Sequence, residues 1–384
     1  NTICTRLLQL GNKRFKGGML QRSVHMPHQH ARRATWFNGM FGNGLVGQIV
    51  LKLVCVHLPK VPSHYLRFMS NHLIVGAAGQ LGVELMLALQ AKYGAERVTL
   101  SDIRPVPHPQ AEASEFILCD AQDKDALDHL IERTQPNTVY MLVAMLSAKG
   151  ESAPMAAWGL NMNPLLHTLE AARRGMVKHI FWPSSMAVFG PNAPKDLTPQ
   201  ETNLCPTTVY GVSKVSGELW CQYYHDKFGV DVRSIRYPGL IGFRSEPGGG
   251  TTDYAVEAFQ AALEDRTLQC YLAPDERLPM MTMEDAVRGT LELMEAPAHN
   301  IRVRTSYNLQ GCSFTPDELA RAIQQTVPGF DMHCVPDARQ DIAASWPNSL
   351  DDTEAQKDWG WRPKHDVQGL VAHILEGISP PVDG

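Results

Sequence analysis

Acidic side chains are missing from the first 68 residues of this 384-residue sequence, which carry Arg and Lys alone, whereas the whole chain has a net charge of −5. The main body is therefore clearly acidic and repels phosphate, so nucleic acid is not expected as its partner. Apolar runs of spanning length are lacking too. The longest, GLVGQIVLKLVCVHL, is broken by Lys52 and falls short of a bilayer, so no membrane association is expected. The eight cysteines (Cys4, Cys55, Cys119, Cys205, Cys221, Cys270, Cys312 and Cys334) form no Cys-x-x-Cys pair. Neither an HExxH motif nor a Cys/His cluster at metal spacing is present, which leaves reduced intracellular thiols, mostly core filler, and no metal.

Residues 1–70 read as a basic extension outside the core fold. Arg-rich and acid-poor, they resemble a mitochondrial transit segment. The reading adopted is that the recognisable fold begins at Met69, giving a cytoplasmic protein, with the mitochondrial matrix as the alternative. The run HMPHQH, His25 to His30, has metal-binding residue types but sits in this basic segment.

From His72 the pattern changes. The apolar run HLIVGA ends in GAAGQLG, where Gly76, Gly79 and Gly82 keep a GxxGxxG spacing ahead of the helical pattern VELMLALQAKYG. The first glycine permits a tight strand-to-helix turn and the second lets backbone approach a pyrophosphate. The third allows close helix packing, and the helix N-terminus favours the anion. Asp102 ends the next strand, RVTLSD, twenty positions after Gly82. A carboxylate there binds ribose hydroxyls and repels a 2′-phosphate, so NAD is expected rather than NADP.

Further apolar runs follow at βα spacing: EFILCD, TVYMLVA, HIFWPSS and DVRSIRYPG. Continuous apolar strands separated by helices predict an α/β fold, a Rossmann-type doubly wound parallel sheet with a smaller C-terminal α/β substrate lobe. Residues 71–242 form the NAD-binding domain, with 284–310 returning to it, and 243–283 plus 311–378 form the lobe. Asp120 ends its strand near the expected adenine and reads equally well as a loop-starting Asp. FTPDELARAIQQ predicts a capped helix with Thr315 at N-cap, Pro316 at N1 and Glu318 at N3.

Ser184 and Ser185 close the HIFWPSS strand, and VYGVSKVSGE then supplies Tyr210 and Lys214, one turn apart on one helix face. Alcohol oxidation needs a base. A free tyrosine titrates at about 10, and bringing it near 7 takes roughly 4 kcal/mol. An ammonium about 4 Å away supplies that much at an effective dielectric near 20. Ser185, Tyr210 and Lys214 are thus the expected catalytic set, with Lys214 also binding the nicotinamide ribose.

These motifs, with RYPG after the sixth strand, resemble the extended short-chain dehydrogenase/reductase family from Leu73 to about Ile378. The resemblance extends the cofactor set to Gln80, Leu81, Ile103, Ala121, Ala144 and Tyr237. It also makes Asn161 an active-site asparagine opening a helix, with Pro164 where the family has glycine. Dimerisation through two helices per subunit is common in that family, and a homodimer is expected. AMLSAKGE, PGGGTTDYAV, RLPMM and ASWPNSLDD with KDWGW are similar, more narrowly, to the short-chain L-threonine 3-dehydrogenases. That similarity implies substrate contacts at Ser147, Ser185, Tyr210, Gly250, Thr251, Thr252 and Trp346, and L-threonine as the substrate. Trp346 also reads as core.

The glycine loop itself, bare backbone followed by Thr251, Thr252 and a helix start, suits a small anion or carboxylate, or a loop N-capped by either threonine. Two other functions compete. A sugar-nucleotide epimerase or dehydratase would share the cofactor residues but needs a basic pocket, and Arg244, Arg266 and Arg277 are dispersed. A non-catalytic NAD-binding sensor need not keep the Ser/Tyr/Lys set together.

Overall fold

Short apolar strands alternating with helices build a parallel sheet, as the buried β1 (His72–Val75) illustrates with all four of its residues inside. The first half of the chain continues through α1 (Gln80–Tyr93), β2 (Val98–Asp102), β3 (Glu115–Leu118), α2 (Lys124–Thr134), β4 (Thr138–Met141), α3 (Ser147–Glu151), α4 (Pro154–Arg173), β5 (His179–Ser185) and α5 (Val209–Phe228). It goes on with β6 (Asp231–Tyr237), β7 (Gly239–Ile241), α6 (Tyr254–Leu263), β8 (Leu268–Cys270), β9 (Leu278–Thr282), α7 (Met283–Glu295) and β10 (Tyr307–Asn308). The remaining elements are β11 (Cys312–Phe314), α8 (Pro316–Gln324), β12 (Met332–Cys334), α9 (Ala338–Ala344), α10 (Thr353–Trp359) and α11 (Val367–Ile378). This computed structural model describes residues 71–244, 248–264 and 266–378. The basic extension, with Cys4, Cys55 and the His25–His30 run, lies outside the described residues, as does Pro247.

Seven strands pair in the order β10-β6-β5-β4-β1-β2-β3, and every pairing is parallel. Chain order reverses between β1 and β4, which is where an open α/β sheet leaves a crevice at its carboxyl edge. TSYNLQG returns to this sheet as β10, which pairs with β6. The change to the smaller sheet falls at Pro238, a few residues before the expected boundary at 242, because β7 already pairs with β9. β11 completes that three-stranded sheet, and β8 pairs with β12 separately. All described residues fall in one compact unit.

Local signals explain several elements. Asp123 caps α2 by accepting from the amides of Asp125 and Ala126. Thr315 and Glu318 form the reciprocal capping box anticipated for α8, with Pro316 at its first position. Asn161 departs from expectation. It lies in the middle of α4 rather than at its start, and α4 continues through Pro164. A helix interior tolerates a proline when packing outweighs the lost backbone bond, and Pro164, Leu165, Thr168 and Leu169 are all buried. The cysteines also differ from simple core filler. Cys119, Cys221 and Cys270 are buried, Cys312 and Cys334 half-buried, and Cys205 exposed. Among the described residues, no helix is long and apolar enough to cross a membrane.

Candidate active site

β1 delivers Gly76 to the switch point with φ at +91°, and the Gly76 and Ala77 amides donate to the Ser101 carbonyl at 2.9 and 3.1 Å. A Cβ on Gly82 would stand 2.7 Å from the Ala77 carbonyl oxygen, so α1 closes on the turn only where that atom is missing. Gly79 is different. Its nearest neighbour would be the Gly76 oxygen at 3.5 Å, which leaves room for a ligand. No side chain caps α1 and no acid lies in its first turn, so the amides that start at Gln80 and Leu81 present a positive end to the crevice. Asp102 accepts the Ala78 amide on Oδ2 (2.9 Å) and the Ile103 amide on Oδ1 (2.8 Å). An ionised carboxylate has about four acceptor sites, so capacity remains for ribose hydroxyls. Ile103 and Leu118 project exposed apolar side chains beside it. Asp120 takes the Gln122 amide (2.9 Å), a turn-forming bond, while Ala121 is buried and Ala144 is half-buried against a core cluster. These features fit a dinucleotide. Tyr237 is spent elsewhere: its side chain is buried and its hydroxyl meets Thr290 and the Ala286 carbonyl. Its backbone is in register with Ser185 at the end of β5.

Ser185 ends β5, and its hydroxyl accepts the Ala187 amide at 3.2 Å and hydrogen-bonds Tyr210. Lys214 is buried, donates to the Pro183 carbonyl at 2.6 Å and lies 4.4 Å from the Trp182 ring centre and 5.4 Å from that of Tyr210. Burial dominates the electrostatics of both groups. Burial pushes the Tyr210 phenol up to about 12, opposed by the Ser185 hydrogen bond. Burial also brings the Lys214 ammonium down to about 7. Both groups lose their water, and for Lys214 desolvation outweighs the opposing effect of Cys221 and Glu218.

A buried network behind these residues escaped the sequence argument. Ser184 donates to Glu218 Oε1 (2.6 Å), and Arg236 grips the same carboxylate through Nε (2.9 Å) and a terminal nitrogen (2.7 Å). Glu218 stands one helical turn beyond Lys214, so the signal lay in VYGVSKVSGE itself. Asn161 accepts the Met145 amide (2.7 Å) and donates to Ser213 (3.0 Å), whose hydroxyl donates to the Tyr210 carbonyl (2.7 Å). It thus couples the segment after β4 to the helix carrying Tyr210.

The glycine-rich loop lies against both parts. A Cβ on Gly248 would be 3.0 Å from Leu146 and 3.7 Å from Gln80 Oε1. The Ser147 and Thr251 hydroxyls, both buried, are hydrogen-bonded at 3.1 Å. Thr252 packs where a Gly239 side chain would otherwise stand. Neither threonine caps α6, because Asp253 is its N-cap residue and makes no side-chain cap. Instead Asp253 Oδ2 accepts the Gly249 and Gly250 amides, both at 2.8 Å. The two amides expected to meet an external anion already hold an internal one, and burial pushes the Asp253 carboxyl above its ordinary range. Tyr271 supports the loop by donating to the Gly250 carbonyl and accepting the Tyr254 amide. Trp346 is buried in the same core cluster as Tyr254 and Tyr271, with its carbonyl taken by Lys195.

With this geometry in hand, the chain can be set beside known proteins. The profile of the NAD dependent epimerase/dehydratase family matches residues 72–309. An uncharacterised epimerase/dehydratase of Staphylococcus haemolyticus is 43% identical over 313 residues, covering 81% of this chain and 98% of its own. The holo structure of a GalE-like L-threonine dehydrogenase from Cupriavidus necator is 50% identical, with TM-score 0.77, and covers 79% of this chain and 99% of its own. A monomeric L-threonine 3-dehydrogenase from a metagenome, in its apo form, is 44% identical with TM-score 0.77, covering 80% and 98%. The chain belongs to the NAD dependent epimerase/dehydratase family of extended short-chain dehydrogenases/reductases, and NAD is its cofactor.

Proposed function

We propose that the chain is an NAD-dependent L-threonine 3-dehydrogenase, oxidising the β-hydroxyl carbon of L-threonine to give 2-amino-3-oxobutyrate. The observation that carries this reading is the closure of the glycine loop onto α3 and α1, with the Ser147–Thr251 hydroxyl pair beneath it. That arrangement suits a compact polar substrate. NAD would be held at the Gly76–Gly82 turn, the start of α1 and Asp102, and when bound would supply the hydride acceptor. Ser185 holds the substrate oxygen, Tyr210 takes the hydroxyl proton as general base, and Lys214 supports the phenolate. Gly250, Thr251, Thr252, Ser147 and Trp346 are assigned to the substrate side by their resemblance to the short-chain enzymes. The structural relatives named for threonine oxidation support the same substrate.

The competing sugar-nucleotide reading needs free basic side chains around the loop. Arg244 is paired with Glu84, Arg266 with Glu264 and Arg277 with Glu318, so each of these cations already has an acid. The test is NADH formation from L-threonine, L-serine, L-allo-threonine and UDP-galactose, with Tyr210→Phe alongside. Turnover of L-threonine, reduced by about 10²–10⁴ in the variant, is the expected result. Interconversion of the sugar nucleotide without threonine turnover overturns the substrate assignment.

Three further readings go with this one. Residues 243–283 and 311–378 serve as the substrate lobe, outside the seven-stranded sheet. A homodimer forms through α4 and α5, where Val212, Leu219, Trp220 and Tyr223 share one exposed face of α5 and Met155 and Trp158 are exposed on α4. Light scattering of the native chain against Leu219→Glu tests this, a mass unchanged by the substitution being the contrary result. The unbridged cysteines favour a reducing compartment, cytoplasmic or, if residues 1–68 direct import, the mitochondrial matrix.

A further inference from the structure

Away from the crevice, two histidines and a glutamate converge from segments distant in sequence. Glu284 lies in the first turn of α7, His365 in the segment before α11, and His373 within α11. Their candidate ligand atoms all lie within 4.8 Å of one another, the one such group among the described residues. Glu284 Oε2 is 3.6 Å from the Nε2 atoms of both His365 and His373. That exceeds a hydrogen bond, and His365 Nε2 is buried with no hydrogen-bond partner. A buried imidazole nitrogen left unpaired and aimed at a carboxylate wants something between them. For metal bonds of about 2.0–2.1 Å, the edge of a tetrahedron is about 3.4 Å, close to the 3.6 Å that separates Glu284 Oε2 from each imidazole.

We propose that Glu284, His365 and His373 form a binding site for a divalent transition-metal ion of the zinc class, clamping α11 to the start of α7. Two imidazoles and one carboxylate suit zinc, copper or nickel. Magnesium and calcium prefer six or more oxygens and are excluded by the donor set. The second carboxylate oxygen is occupied, since Lys364 Nζ holds Glu284 Oε1 at 3.0 Å, leaving Oε2 for the metal. Asp285 is not a ligand, because it is committed to Arg288 and the Lys364 amide. Water completes the coordination on the solvent side. The site does not depend on the identity of the substrate.

The test uses the full chain freed of metal by chelation, titrated with Zn²⁺ at a pH above the imidazole range, so that both rings are neutral. Native protein is expected to bind one more equivalent than His365→Gln/His373→Gln, and to gain about 2–5 °C in Tm that the variant does not. Mg²⁺ is expected to shift neither. Co²⁺ replacing Zn²⁺ separates this site from cysteine ligation, since nitrogen and oxygen ligands give visible bands without the near-ultraviolet thiolate band. Equal stoichiometry and equal Tm shifts in the two proteins overturn the proposal, as does a thiolate band that accounts for all bound Co²⁺. If the double variant loses its native melting transition, His373→Gln alone decides. A loss of at least about 10-fold in Zn²⁺ affinity supports the site, and an unchanged affinity removes it.

Discussion

Two glycine-rich loops stand beside helix N-termini in this chain, and an aspartate serves each of them. In the turn from Gly76 to Gly82, Asp102 comes from the neighbouring strand and takes one loop amide, that of Ala78, leaving the start of α1 open. In the loop from Gly248 to Thr252, Asp253 comes from the loop's own end and takes the Gly249 and Gly250 amides together. The glycines also differ in kind. Gly82 is required by fit, because a side chain there meets backbone on the far side of the turn. Gly249 is required by freedom, because its φ is +87° while nothing stands within 4 Å of where a Cβ would be. Glycine-rich sequence thus marks two different devices: a rigid cradle that offers its amides, and a self-held flap that has already used them.

The largest effect is expected at the cradle. Gly82→Val forces α1 off the turn, destabilising the protein by about 1–3 kcal/mol and weakening NAD binding on the order of 100-fold. NADH fluorescence titration and thermal melting read both. A variant that still binds NAD normally would remove the fit argument. Next comes the exchange of anchors. Asp253→Ala releases two amides from a charge-assisted acceptor, and such bonds contribute about 1.5–3 kcal/mol. KM for L-threonine is expected to rise on the order of 10-fold with the NAD Kd unchanged. Asp102→Ala should give the opposite pattern, a weaker NAD Kd ahead of any change in threonine KM. If both variants shift the same constant, the two loops are one device.

How much of this could be read beforehand follows the same division. The cradle was legible because each glycine answers to a local rule, turn, approach or packing, that its spacing reveals. β1 to β6 and the box-capped α8 were legible for the same reason. The flap was not, because the helix α6 could equally begin at Thr251, Thr252 or Asp253. Which residue faces back toward Gly249 depends on Tyr271, contributed from beyond β8. Asn161 was recognised by resemblance but misplaced along α4, since packing around Pro164 overrides the local tendency to break there. The direction of the Tyr210 and Lys214 shifts depends on burial, which residue spacing does not report. Glu218 shows the limit from the other side: its position was visible, but its Arg236 partner arrives from β6.

Asp253 also carries a pH dependence. Burial raises the folded pKa of Asp253 above its unfolded value of 3.8. The folded state therefore holds this proton more tightly, and the stabilisation is fully present below the unfolded pKa and lost as pH rises through the folded one. Compared with Asp253→Asn, native protein is expected to gain relative stability as pH falls from neutral toward 3.8. Parallel denaturant titrations of the two proteins measure that difference while cancelling the other carboxylates. A difference that stays flat or shrinks on acidification means that Asp253 is held as a stable anion, and the flap would then be as rigid as the cradle.

The smallest effect is the most discriminating. Gly249→Ala adds a methyl group where there is open space, so the whole cost is backbone strain at φ +87°, about 1 kcal/mol. Tm should fall by about 2–4 °C, and NAD affinity should not change, because no part of the cradle moves. Threonine KM should change less than in Asp253→Ala, since both amides keep their carboxylate. An alanine here as damaging as valine at Gly82 would mean that Gly249 lies against something when substrate binds, and the flap would then be a fitted surface. A variant close to native in every constant except Tm leaves Gly249 as a hinge, with its glycine serving conformation alone.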